Sequence, residues 1–138
     1  MSNSIQVAVT GLGVLCALGD SPEEVFAAMR DGRTGIGPAT RFPTGRFHSG
    51  IAAEVRHFRP ELHFTDDERK RYDLCAQYAI FAVKQALADS GIEPGGGLPG
   101  ERIGLALGTC NGGIVSLEEQ WTIDGLDKAR TARYPFYQ

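Results

Sequence analysis

Residues 5–32 read IQVAVTGLGVLCALGDSPEEVFAAMRDG, and this stretch sets the class of the fold. Ile5, Val7 and Val9 alternate with Gln6 and Ala8, the two-residue period of a short buried strand. A glycine-punctuated loop follows, opening on Gly11-Leu12-Gly13. Ser21 then offers a helix N-cap, Pro22 suits the first helical position, and Glu24 completes a capping box with Ser21. Val25, Phe26 and Met29 share one helical face, and Gly32 is placed to end the helix. Strand, loop and helix in this order open an α/β unit.

The remainder alternates in the same manner. Residues 33–50 are rich in Gly, Pro and Thr and read as irregular, and residues 51–55 as a short strand. Thr65 and Glu68 form a second capping box, followed by the longest predicted helix. Tyr72, Cys75, Ala76, Ala79, Val83 and Leu87 recur at helical spacing and line one face of it, and Gly91 ends it. Residues 91–101, GIEPGGGLPGE, form a connector of turn formers, expected to be flexible. Arg102 to Leu107 reads as a buried strand. Gly112 and Gly113 open a further helix with Ile114, Leu117 and Trp121 on one face. The tail, residues 128–138, mixes basic and aromatic residues without a core-forming period.

Composition bounds the function. The 138 residues suffice for one modest domain, and 42% hydrophobic against 22% charged content permits a core. A net charge of −3 argues against nucleic-acid binding, which calls for a basic stripe. No apolar run approaches the ~18 residues of a membrane span, and no signal peptide is visible, so a cytoplasmic protein without membrane contact is expected. Three widely spaced cysteines, Cys16, Cys75 and Cys110, fit a reducing compartment better than a disulfide framework.

Several constellations invite chemistry. Gly11-Leu12-Gly13 after a strand resembles a dinucleotide turn, but Cys16 occupies the third glycine position and the next helix begins too late to hold a pyrophosphate. A tight turn accounts for these glycines instead. His48, His57 and His63 have no metal-ligand spacing with one another or with the cysteines, so no metal is expected. Glu68-Arg69-Lys70-Arg71 falls at the start of the predicted long helix, where positive charge opposes the helix dipole. It reads either as a solvated face or as a docking patch for an acidic partner. Cys110 follows a strand and precedes a helix. It reads either as a nucleophile with a lowered pKa or as a small residue in a packed turn.

As a set, the segments VAVTGLGVLCALGDSPEEVFAAMRDGRTGIGP, RFPTGRFHSGIAAEV, DERKRYDLCAQYAIFAVKQALADSGI, RIGLALGTCNGG, EEQWT and YPF resemble, in order, the amino-terminal part of the β-ketoacyl-[acyl carrier protein] synthases. These are the condensing enzymes of fatty-acid and polyketide synthesis. The resemblance implies an α/β fold of the thiolase type, in which two similar halves build α/β/α/β/α layers. Residues 1–138 are then an incomplete amino-terminal part of the first half. Family members place a nucleophilic cysteine in an A-C-[SA]-[ST] strand-to-helix elbow, with two histidines and a lysine in the second half. None of these matches a residue here, so no catalytic residue is assigned and the chain alone is expected to be inactive.

The resemblance also implies a pocket and a docking surface. GTCNGG matches the family's earlier glycine-rich turn, not the elbow. Cys110 stands where the family usually has glycine, and Asn111 where an apolar residue often gates the acyl-chain pocket. Ile114, Phe136 and Tyr137 match other pocket positions at a dimer interface. Asn111 either lines a pocket for a short or polar acyl chain or bonds back to the turn's backbone. Lys70 and Arg71 match basic residues that dock acyl carrier protein, although Asp67 falls where a third is often basic, and Arg130 and Arg133 match a second basic cluster. The implied partners are acyl carrier protein, the rest of the synthase, and a second subunit in a homodimer or a ketosynthase-like heterodimer. No cofactor is implied. A non-catalytic chain-length factor is the alternative. In either case the strands should leave edges unpaired and the apolar helix faces should lack cover.

Overall fold

The computed structural model describes residues 5–93 and 95–126. The elements run α1 (Pro22–Arg30), β1 (Ile36–Pro38), β2 (Ile51–Ala53), a 3-10 turn (Pro60–Leu62), α2 (Asp66–Arg71), α3 (Leu74–Ser90), a second 3-10 turn (Gly100–Arg102) and α4 (Ile114–Leu126). They divide into two compact units. Of the described residues, one unit comprises those up to Phe58 together with those of 81–99, and the other those of 59–80 and from Gly100 to Leu126.

In the first unit, α1 begins where the capping residues place it. Ser21 Oγ accepts the Glu24 N–H at 3.3 Å. The Glu24 carboxylate reaches the Asp20 N–H and not that of Ser21, so the expected reciprocal box is only half made. At the other end Gly32 adopts φ +68°, and the Gly32 and Arg33 N–H groups donate to the Met29 and Ala28 carbonyls. This is the Schellman closure, which needs a residue free of Cβ strain. Ala28 is fully buried, whereas Phe26 and Met29 on the same helix are exposed.

Residues 33–50 are not wholly irregular. β1 and β2 pair antiparallel, with Ile36 opposite Ala53 and Pro38 opposite Ile51, around a long loop. Glu54 closes the base of that loop. Its Oε1 accepts the Thr40 and Arg41 N–H groups at 2.8 and 3.1 Å, and its Oε2 accepts Thr40 Oγ1 and Arg56 Nε at 2.8 and 3.2 Å. These bonds, led by that from the Thr40 N–H, hold the Glu54 carboxyl at about 2 against an ordinary 4.5. At the loop tip, Phe42 and Phe47 meet edge to face at 5.6 Å.

Gly11 and Gly13 prove to serve close packing and not a tight turn. A Cβ on Gly11 would stand 2.2 Å from the Ala86 carbonyl oxygen, and one on Gly13 1.9 Å from that of Ala82, both on α3. The intervening N–H groups are satisfied by the same helix: Leu12 N–H by Asp89 Oδ2 at 2.8 Å and Val14 N–H by Gln85 Oε1 at 2.9 Å. Phe81 is buried on α3 and packs edge to face against Phe58 at 5.3 Å.

In the second unit, the predicted long helix is broken. α2 stops at Arg71, Tyr72 is extended, and α3 restarts at Leu74. The restart has a local cause. Asp73 Oδ1 accepts the Cys75 N–H at 2.9 Å, the N-cap arrangement that begins a new helix. The break also reverses the electrostatic expectation for the basic run. Arg69, Lys70 and Arg71 occupy the last turn of α2, where positive charge favours the helix dipole. The predicted apolar stripe is only partly inward: Cys75 is exposed, and the buried positions on α3 are Gln77 and Phe81, one turn apart.

Two expected strands are absent. Residues 5–9 and 102–107 make no strand pairing among the described residues, and Arg102 belongs instead to the second 3-10 turn. Their apolar side chains are exposed, with Val7 at 89% and Leu105 at 73%. A strand exists only through its partner's hydrogen bonds, so alternation in the sequence cannot create one alone.

Candidate functional site

The candidate site is built around the exit of α2 and the starts of α3 and α4, all within the second unit. Thr65 and Glu68 set α2 with a complete capping box: Thr65 Oγ1 accepts the Glu68 N–H at 3.3 Å, and Glu68 Oε2 accepts the Thr65 N–H at 2.9 Å. Arg69 pairs back to Asp66. Lys70 and Arg71 are exposed and make no ion pair among the described residues. Beside them lies a cavity of about 170 Å³ whose lining includes Lys70, Asp73, Gln77 and Ser116. Gln77 is 6% exposed; its Nε2 donates to the Tyr72 carbonyl at 2.8 Å, while its Oε1 has no hydrogen-bond partner among the described residues.

Asp73 ties the two helix starts. Besides capping α3, its Oδ2 accepts the Ser116 N–H at 2.9 Å and the Ser116 hydroxyl at 2.5 Å. Partial burial pushes this carboxyl upward, but the Ser116 hydroxyl and the backbone N–H groups of Cys75 and Ser116 outweigh it and leave the pKa below the ordinary 3.8. Cys75 stands two residues along. Its Sγ accepts the Gly113 N–H at 3.1 Å. Partial desolvation, then the hydrogen bond and charge of Asp73, raise the Cys75 thiol above its ordinary 9.0, which disfavours the thiolate and any nucleophilic role.

The glycine-rich turn lies directly before α4. Cys110 and Asn111 are exposed, and neither side chain makes a hydrogen bond among the described residues. Asn111 is thus not bonded back to its own turn. Ile114 begins α4 at 55% exposure and lines, with Leu117, Glu118 and Trp121, a groove of about 580 Å³. The predicted helical face is therefore present, but exposed. Arg130, Arg133, Phe136 and Tyr137 lie outside the described residues. No group of three or more metal-ligating side chains occurs among the described residues, nor is any described helix long and apolar enough to cross a membrane.

Asp73, Cys75 and Ser116 were not among the predicted site residues. The available signal was Asp73 itself, an N-cap type directly before the apolar run LCAQYAIF. Its contact with Ser116, 43 residues away, had no local signature.

Residues 5–136 match the family described as beta-ketoacyl synthase, N-terminal domain. The chain is 35% identical over 116 residues to 3-oxoacyl-[acyl-carrier-protein] synthase 2 of Coxiella burnetii, covering 84% of this chain and 28% of that protein. It is 34% identical over 131 residues to the synthase 2 of Synechocystis sp., covering 95% and 31%. Among solved structures, the ishigamide ketosynthase/chain length factor superposes with a TM-score of 0.63 at 32% identity, over 85% of this chain and 30% of that one. The chain thus spans under a third of the length of these relatives. With a family match across nearly all of its length and a fold like that of a chain of the ketosynthase/chain length factor, the protein belongs to the β-ketoacyl synthase family.

Proposed function

We propose that the chain forms the amino-terminal part of the first half of a thiolase-type synthase that extends acyl groups by decarboxylative condensation in fatty-acid or polyketide synthesis. The observation that carries this is the match to the synthase N-terminal domain over residues 5–136. In the complete enzyme, an acyl group passes from carrier-protein thioester to the elbow cysteine with release of the carrier thiol. Malonyl-carrier protein then loses carbon dioxide, and its carbanion attacks the acyl-cysteine carbonyl. The thiolate leaves, giving a β-ketoacyl product, with backbone amides stabilising the oxyanion. None of the three cysteines here has the elbow context, so these residues serve binding and assembly.

Lys70 and Arg71, exposed at the dipole-negative end of α2, are suited to dock the acidic carrier protein, with Arg130 and Arg133 as a second cluster. Cys110, Asn111, Ile114, Phe136 and Tyr137 form one side of the acyl pocket. The exposed apolar residues of 5–9 and 103–107 are covered by the remainder of the synthase, which works as a dimer. The test is to express the intact synthase, supply acyl- and malonyl-carrier protein, and follow β-ketoacyl product by mass spectrometry. Product that disappears when the elbow cysteine is replaced supports the proposal, and no product with any acyl donor refutes it. Similarity to a ketosynthase/chain length factor favours one second reading, a non-catalytic chain-length partner. A residue other than cysteine at the elbow, with activity appearing only beside a ketosynthase subunit, would select it.

A further inference from the structure

Gly112 and Gly113 make the turn before α4 soft, and Gly113 adopts φ +80°. What holds that turn is the start of α3. Cys75 Sγ accepts the Gly113 N–H at 3.1 Å and lies 3.6 Å from where a Cβ on Gly112 would stand. Asp73 grips the first turn of α4 through two bonds to Ser116 and caps α3 through Cys75 N–H. A carboxylate at these two helix starts is favoured by both dipoles. Cys110 and Asn111 hang from this turn without hydrogen bonds of their own among the described residues, so their position follows the backbone.

We propose that Asp73 and Cys75 are positioning residues that fix the Cys110–Asn111 segment as a wall of the acyl pocket and thereby set the length of acyl chain accepted. Neither touches the reacting atoms. Releasing either tie lets the turn retreat, so longer acyl chains are admitted. This rests on the condensing activity proposed above.

The experiment compares, in the intact synthase, the ratio of kcat/KM for dodecanoyl- over butyryl-carrier protein in wild type, Asp73→Asn, Cys75→Ala, Ser116→Ala and Ser116→Thr. Since one methylene of pocket length is worth about tenfold or more in discrimination, Asp73→Asn and Cys75→Ala are expected to raise the ratio about tenfold. Ser116→Ala should move it the same way, and Ser116→Thr, which keeps the hydroxyl, should restore it. Ser21→Ala removes the α1 cap and serves as the control for general destabilisation: it should lower Tm and leave the ratio unchanged. An unchanged ratio in Asp73→Asn and Cys75→Ala overturns the proposal, as does an equal shift in Ser21→Ala. Hydrogen exchange of residues 109–117 gives an independent reading and should rise in both variants. If the wild type shows no condensation, the proposed function fails by itself. The positioning role is then decided by that exchange and by the relative binding of the two acyl-carrier proteins, and is refuted if neither changes.

Discussion

Gly13→Ala tests the packing that joins the amino-terminal loop to α3. The added Cβ would stand 1.9 Å from the Ala82 carbonyl oxygen, 2.8 Å from the carbonyl carbon and 2.9 Å from the Ala86 nitrogen. These are backbone atoms of a helix and cannot swing aside. Restoring a normal contact of roughly 3.5 Å moves loop and helix apart by more than about 1 Å. The Leu12–Asp89 and Val14–Gln85 bonds, now 2.8 and 2.9 Å, would then exceed bonding distance. Losing one charge-assisted and one neutral bond costs about 2–4 kcal/mol, a large share of the ~5–15 kcal/mol that holds a domain together. Urea unfolding of the intact synthase should show the loss, and hydrogen exchange at Leu12 and Val14 should accelerate. Gly45→Ala, with nothing within 4 Å of the new Cβ and no positive φ, should stay within about 0.5 kcal/mol of wild type. If Gly13→Ala matches wild type in both measurements, the close approach does not operate and these glycines have another role.

Glu54 makes the hairpin pH-sensitive. Its folded pKa of about 2 lies below the ordinary 4.5, so its contribution is complete above 4.5 and is lost as pH falls towards 2. Hydrogen exchange at Thr40 and Arg41, corrected for intrinsic rates, should rise across that window in wild type and be high at all pH in Glu54→Gln. Gly32→Ala places a Cβ at φ +68° and should cost about 1 kcal/mol, read from urea midpoints. Lys70→Glu with Arg71→Glu should weaken acyl-carrier-protein binding about tenfold or more by titration calorimetry, with the difference shrinking as salt is raised. Unchanged affinity at low salt would remove these residues from the docking surface.

The site was legible in the sequence only where its causes are local. The Thr65–Glu68 box announced α2, and Gly112-Gly113 announced α4, because each depends on residues within one turn. The interruption at Tyr72–Asp73 was hidden because the apolar period runs on across it, and Asp73 acts as a cap whose second half is a bond to Ser116. Cys110 drew attention by its flanks, yet the thiol that touches the turn is Cys75.

By itself the sequence determined the helix starts at Ser21 and Thr65, the existence of α1 and α4, and the family to which the ordered set of motifs belongs, since local caps, period and motif order are properties of the linear chain. Tertiary structure decided the rest. It turned Gly11 and Gly13 from turn residues into packing residues, because only a neighbouring helix can forbid a Cβ. It placed the basic run at the favourable end of a short helix and left residues 5–9 and 103–107 exposed and without a strand partner among the described residues, because dipoles have ends and strands need partners.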